Sequence, residues 1–382
     1  MKNSLRLVIL TLAAALVAQS AFAYNWNKCR SNKQTWDSNN VTFQPSSVSF
    51  PAGSQWRASV ESMRTAWNFA PGTRFDFTYN YRNSSLYSSG DDRNSILITG
   101  NYGWDGGVVG VAIRRHKWCV WPFWGGKLKE VDVLFNPDRT WDTATNPEEW
   151  VDGLNSTLVG IHELGHAMGL DHEDDVIATM NSFVPNGGPI GRDNDAVPHG
   201  DDVLGNRAGY GTSGSPRDIY ASMYERTGAG RSDNIDSGPF NVFQNTPTAF
   251  EFTIGNRGVV NETSVGVKFY LSADRNITTG DILVGSAGYS LNSGVTLNRT
   301  LNITIPSSVP SGFYHFGYIV DPENYIPEVD EGNNSVAYTF PLFVRDQTPP
   351  RACFSVSPTS GNGPLLVTVN ASCSSDPDGS TR

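Results

Sequence analysis

The sequence reads His162-Glu163-Leu164-Gly165-His166 and then, past Gly169, reaches His172. Two histidines four positions apart serve one centre only if the segment is helical, for then they stand about 40° apart in azimuth and one turn apart along the axis. The pattern therefore demands a helix ending near Met168, a chain that turns back straight after it, and a fold that leaves this end of the helix accessible. Glu163, between the two histidines, is where a general base meets a metal-activated water. Gly169 lets the chain leave the helix in a conformation costly for other residues, so that His172 can return as third ligand. Three neutral imidazoles leave a fourth position open, the arrangement of catalytic zinc, whereas structural sites close the shell with a fourth protein ligand. At ordinary residue frequencies a chance match at all five positions is on the order of one in 10⁵ for a chain of this length.

The helix that carries the motif is expected to begin with Asn146 as cap, Pro147 at the first helical position, and Glu148 and Glu149 in the first turn, where the macrodipole favours anions. It should run to about Met168 with Trp150, Leu154, Leu158, Ile161 and Met168 as its apolar stripe. Upstream, Trp56, Val60, Met63 and Trp67 recur at helical spacing after a Ser54 cap, and Pro71-Gly72 stops that helix. Residues 41–43, 75–79, 96–98 and 131–135 read as strands. From Trp36 to about Gly211 the chain is thus α+β.

Met180 lies eight residues beyond His172, in Ala178-Thr179-Met180, and with it the segment from His162 resembles the metzincin clan, matrixins in particular, whose methionine turn lies under the metal. Residues 130–136 look like the strand before the active-site helix, and Asp201-Asp202-Val203-Leu204-Gly205 with Tyr210-Gly211 looks like the family's last helix. The resemblance implies a metzincin-like catalytic domain over residues 24–212. It implies Zn2+ held by His162, His166 and His172, Glu163 as catalytic base, and hydrolysis of internal bonds in protein or peptide substrates. There are departures. Asn181-Ser182-Phe183 follows the methionine where matrixins often carry proline, which bears on the wall of the specificity pocket. No latency segment or cysteine-switch sequence stands between Ala23 and Trp36, and Cys29 reads as a disulfide partner. Residues 114–126, with Trp118, Trp121, Phe123 and Trp124, have no family counterpart and read equally as a cleft wall or a packed aromatic loop.

Beyond Gly211 the helical signals fade. Residues 213–238 read as a Gly/Ser-rich linker interrupted by a short helical candidate at 217–226. Residues 239–345 break into short segments bounded by turn residues, the pattern of an all-β Ig-like sandwich. Phe269-Tyr270-Leu271-Ser272, Pro310-Ser311-Gly312-Phe313-Tyr314 and Asp330-Glu331-Gly332-Asn333-Asn334, with Glu328, resemble the bacterial cell-adhesion-related Ig-like domain. Residues 350–382 resemble the start of a PKD-type Ig-like repeat, on Phe354-Ser355-Val356-Ser357-Pro358 and Ser375-Asp376-Pro377-Asp378-Gly379.

Lys2 and Arg6 precede an apolar run at 7–17, and Ala21-Phe22-Ala23 suits signal peptidase, so residues 1–23 are expected to be a signal peptide cleaved after Ala23. The run is shorter than the roughly 20 residues that span a bilayer. The expected location is secreted or extracellular, with the periplasm as the alternative. Cys29, Cys119, Cys353 and Cys373 suit an oxidising compartment; three pairings are open, and Cys29 with Cys119 and Cys353 with Cys373 keep each bridge inside one proposed domain. A net charge of -10 without a Lys/Arg cluster excludes a nucleic-acid groove. Asp91, Asp92, Asp193 and Asp195 have the ligand type for structural Ca2+, but solvated loop carboxylates are the plainer reading. The rival to a secreted metalloendopeptidase is a secreted adhesive protein that binds a surface or matrix through its Ig-like modules and whose zinc domain does not cut; an intact Glu163 argues against it.

Overall fold

A computed structural model describes residues 24–29, 32–120, 123–143, 154–182, 196–226, 232–234, 241–346 and 351–375, the side chains of 118–120, 123–125, 226 and 232–234 excepted. Strands β1 (Asn40–Pro45), β2 (Asp76–Tyr79), β3 (Ser95–Ile98), β4 (Gly110–Val120) and β5 (Phe123–Phe135) form one sheet in the order β2-β1-β3-β5-β4. Neighbours are parallel except β4, which runs antiparallel to β5 as one arm of a long hairpin and forms an edge of the sheet. The unassigned stretch at 114–126 is the outer half of this hairpin, paired from Arg114 with Val131 out to Val120 with Phe123. The side chains of its aromatic residues Trp118, Trp121, Phe123 and Trp124 lie outside the described residues.

Two helices cover the sheet. In α1 (Gln55–Asn68) the Ser54 hydroxyl accepts from the Arg57 N–H at 3.1 Å, as the cap reading expects, and Val60, Met63 and Trp67 are buried. They pack with Phe43, Phe77, Ile96, Val133 and Phe135 of the sheet and Leu164 and Met168 of α2 (Ser156–Met168). The helices are registered by buried polar contacts: Trp67 Nε1 donates to the Ile161 carbonyl at 2.8 Å, and Ser59 Oγ lies 2.7 Å from Ser156 Oγ.

The start of α2 corrects the sequence reading. The helix begins at Ser156, because Asn155 caps it by accepting from the Thr157 and Leu158 N–H groups at 2.9 and 3.2 Å. Leu154 and Asn155 pair as a short parallel strand with Trp141 and Asp142, so Leu154 is no part of the helical stripe. The expected cap and first turn, Asn146, Pro147, Glu148, Glu149 and Trp150, lie outside the described residues.

A third helix, α3 (Gly200–Tyr210), closes this unit, and the chain then enters a β-sandwich. Residues 217–226, expected to be helical, are extended: Ile219–Ser222 pairs antiparallel with Pro247–Asn256, and Tyr224–Arg226 is a second short strand. The reason is a period of two. Ile219, Ala221 and Met223 enter the sandwich core, while Tyr220 and Tyr224 point toward the first unit. Ile219–Ser222, Pro247–Asn256 and Thr296–Thr304 make one sheet, and Glu262–Ser272, Ile282–Leu291, Gly312–Val320 and Leu342–Arg345 lie in the other. Phe250 stacks on Phe316 at 4.0 Å between them. Farther on, Ser355–Ser357 pairs with Thr368–Asn370 across a Cys353–Cys373 disulfide, as expected. Cys29 is also disulfide-bonded; the side chain of its expected partner, Cys119, lies outside the described residues.

The sandwich is seated on α3. Arg207, buried in the contact, donates from Nη1 to the carbonyls of Pro71 (3.1 Å) and Arg257 (2.8 Å) and from Nη2 to Ser293 Oγ (2.9 Å), and burial lowers its pKa to about 10. The Gly200 N–H donates to the Tyr220 hydroxyl at 3.3 Å. Among the described residues no helix is long and apolar enough to cross a membrane.

Within β5, Asp132 is fully buried, with Oδ1 accepting from the Ser95 N–H at 3.1 Å and Oδ2 lacking a partner among the described residues. Burial pushes its pKa up to about 7, aided by the nearby Glu130 charge and opposed by the Ser95 hydrogen bonds. The protonated form is thus favoured in the folded state. Its stabilisation is complete below the ordinary carboxylate range and is lost as pH rises through about 7. Asp132→Asn keeps the Ser95 contact without the charge, so chemical denaturation should find it more stable by about 1–2 kcal/mol at pH 8 and equal to the parent at pH 4, a figure reduced for residual solvent screening. A gain that is the same at both pH values would refute the titration.

Candidate active site

The last turns of α2 carry His162, Glu163 and His166, and the turn that follows brings His172 beside them. Gly169 makes this turn at φ 108°, in the left-handed region, and its N–H donates to the His166 carbonyl at 2.9 Å. The Asn27 N–H donates to the Gly169 carbonyl at 3.0 Å, the Asp171 N–H to the Asn25 carbonyl at 3.0 Å, and Asn25 Nδ2 to the His172 carbonyl at 3.1 Å. The amino-terminal segment therefore holds the returning chain from outside.

Among the described residues, His162, His166 and His172 are the group whose ligand atoms could hold a metal, all lying within 4.8 Å of one another. His166 Nε2 and His172 Nε2 are 3.1 Å apart. The far nitrogens of two of the rings face carbonyls. His162 Nδ1 is 2.8 Å from the Thr179 carbonyl, and His166 Nδ1 is 2.9 Å from the Leu170 carbonyl. A carbonyl only accepts, so the proton resides on Nδ1 in both rings and Nε2 presents a lone pair to the centre. Burial lowers the pKa of His162 to about 4, against the raising effect of the Thr179 carbonyl, and burial takes His166 well below the usual range. Both are neutral at pH 7, as metal ligation needs. The set suits a tetrahedral ion with one open position.

Glu163 is buried beside them. Burial pushes its pKa up to about 8, opposed by the Arg114 charge and by the hydrogen bond from the Ala112 backbone. Its Oε2 has no partner among the described residues and is one of the atoms left for a reactant. A dication held by the three histidines would oppose the effect of burial and favour the basic form of this carboxyl. The cleft has a volume of about 690 Å³ and is bounded by Val109, Gly110 and Ala112 of the edge strand region, by Leu158 and the histidines of α2, and by Ala178 and Tyr224.

Met180 is buried under the histidine helix, so close that a Cβ on Gly165 would lie 2.2 Å from its sulfur. Its turn is pinned by Asp202 of α3. One carboxylate oxygen accepts from the Thr179 N–H (2.7 Å) and the His199 N–H (3.0 Å), the other from the Met180 N–H (3.1 Å). Since the Thr179 carbonyl also holds His162, Asp202 positions His162 through one intermediate residue. Residues 116–211 match the matrixin family model, and residues 234–338 match the CARDB model. The chain joins a matrixin domain to a CARDB domain.

The chain is 28 % identical over 188 residues to matrix metalloproteinase-16 of Homo sapiens, covering 47 % of this chain, and 29 % identical over 188 residues to the Rattus norvegicus protein. The chain spans 28 % of the length of these curated relatives. The crystal structure of a CARDB domain from Pyrococcus furiosus, described as a complex with di-metal ions, aligns at 22 % identity and a TM-score of 0.25, over 35 % of this chain and 97 % of that one.

All four motif residues of the matrixin domain converge in one cleft. Of the carboxylates weighed for calcium, Asp91 and Asp92 are not in the metal-holding group found among the described residues. Asp91 Oδ2 lies 3.4 Å from Arg93, and Asp92 pairs with Lys129 at 2.5 Å, while Asp193 and Asp195 lie outside the described residues. The motif reading missed Asn25, Asp202 in its pinning role, and Tyr224. Asp202 carried a signal, an acidic residue in the first turn of a helix; the others are joined to the site only by long-range contacts.

Proposed function

We propose that the chain is a zinc-dependent metalloendopeptidase that hydrolyses internal peptide bonds, with His162, His166 and His172 as ligands and Glu163 as general base. The observation that carries this reading is the convergence of three imidazoles whose ligand atoms all lie within 4.8 Å of one another, beside a buried carboxylate with an oxygen unpaired among the described residues. Zinc, when bound, supplies Lewis acidity toward the scissile carbonyl and the attacking water. Glu163 takes the proton of that water and passes it to the leaving amine, and the Ala112 N–H keeps its carboxylate oriented. The edge strand β4 supports an extended substrate through backbone pairing, because it has a strand on one side only among the described residues. A cleft open along such an edge accommodates a chain running past the site at both ends, which favours cleavage within a polypeptide over removal of terminal residues.

The four cysteines and the segment 1–23 support export, and the hairpin closed by Cys353 and Cys373 is read as the opening of a PKD-type repeat. The test uses the full chain. Chelation with 1,10-phenanthroline should abolish casein cleavage, and one equivalent of Zn2+ should restore it; cleavage that survives complete removal of metal, checked by elemental analysis, would overturn the proposal.

A further inference from the structure

A residue beyond the matrixin domain, Tyr224, lines its cleft. Tyr224 is buried, with 5 % of its surface exposed, and packs against Leu158 and Ile177 of the matrixin domain. Leu158 is one helical turn before His162, so the Tyr224 ring meets the cleft next to the metal-binding centre rather than at a remote rim. It also meets His199 edge-on, with ring centroids 5.2 Å apart. The backbone that bears it is rigidly held: its N–H donates to Ser222 Oγ at 3.1 Å, and the preceding strand, Ile219–Ser222, is hydrogen-bonded into the sandwich sheet opposite residues 253–256. Tyr220, two pleats earlier, stacks on His199 with ring centroids 5.8 Å apart, and its hydroxyl lies 2.7 Å from Thr296 Oγ1.

The geometry points to Tyr224 as a specificity-determining residue, the far wall of an apolar subsite whose other walls are Leu158 and Ala178. The subsite takes an aliphatic side chain adjacent to the scissile bond, and the tyrosine ring limits how long that side chain can be. This rests on the proteolytic reading above for the word substrate, but not for the shape of the subsite. The ring gives a hard boundary because it is packed against Leu158, Ile177 and His199 and follows directly on Ile219–Ser222, the strand that is paired into the sandwich. The subsite is thus walled by the matrixin domain through Leu158 and Ala178 and by the segment beyond it through Tyr224.

The test is made on the zinc-loaded full chain with two peptide hydroxamates, one bearing an isobutyl group and one a biphenylethyl group at the position next to the zinc-binding group. Kd is measured for both by calorimetry, and the matching pair of peptides is offered for cleavage. Tyr224→Leu shortens the wall and should shift the Kd ratio toward the longer probe by about tenfold, while Tyr224→Trp should shift it the other way. Two opposite shifts guard against a folding artefact, since loss of structure weakens both probes alike. Ratios unchanged within about twofold in both variants would overturn the assignment. Binding of the hydroxamates without cleavage of either peptide by the parent would overturn the protease reading instead and leave the Kd ratio decisive.

Discussion

Glu163→Gln should lower kcat/KM on an internally quenched peptide by a factor of about 10² to 10⁴ while the zinc content stays at that of the parent. The amide keeps the size of the side chain and an oxygen for the Ala112 N–H, so the cleft keeps its shape. What it loses is the capacity to take a proton. The split between activity and metal content separates this role from a structural one: a variant that lost zinc would make Glu163 a packing residue, and one that cleaved at the parent rate would remove it from the mechanism.

Gly169→Ala should cost folding stability of at least about 3 kcal/mol and weaken zinc binding with it. The residue sits at φ 108°, where a side chain costs roughly 1–2 kcal/mol before any contact is counted. Contact adds more, since a Cβ there would lie 1.9 Å from the Gln34 carbonyl oxygen and 3.1 Å from the Trp26 ring. The first of these is backbone and cannot swing aside. Relief requires moving the turn, and with it the Leu170 carbonyl that fixes His166 and the chain that carries His172. Urea denaturation and a zinc titration with a fluorescent competitor read the two effects; a variant with parental midpoint and parental affinity would show that the turn does not position the ligands.

Both predictions rest on residues legible in the sequence, and their neighbourhood shows how far that legibility extends. The first helix was readable because Ser54, Val60, Met63 and Trp67 act within their own turns. The start of the second was not. Asn146-Pro147-Glu148-Glu149 has the composition of a helix start, yet Asn155 caps the helix that is observed, because Leu154 and Asn155 are claimed by pairing with Trp141 and Asp142. Likewise Ile219-Tyr220-Ala221-Ser222-Met223-Tyr224 carries a two-residue alternation that was open to view, but a short run between Gly/Ser-rich stretches gave no sign of which sheet would accept it.

The sequence by itself determined the chemistry of the centre: three imidazoles, a carboxylate between them, and a glycine where the chain must reverse. Those are consequences of helical geometry over a few residues, where spacing and position in space are nearly the same thing. Only the tertiary structure decided what holds and bounds that centre. Asn25 braces His172 from the other end of the domain, Asp202 ties the methionine turn to α3, and Tyr224 reaches the cleft from the segment just after the strand Ile219–Ser222. Each is a contact between segments far apart in the chain, formed because burial of α2 and α3 brings their backbone donors and apolar faces together, and no local period encodes it.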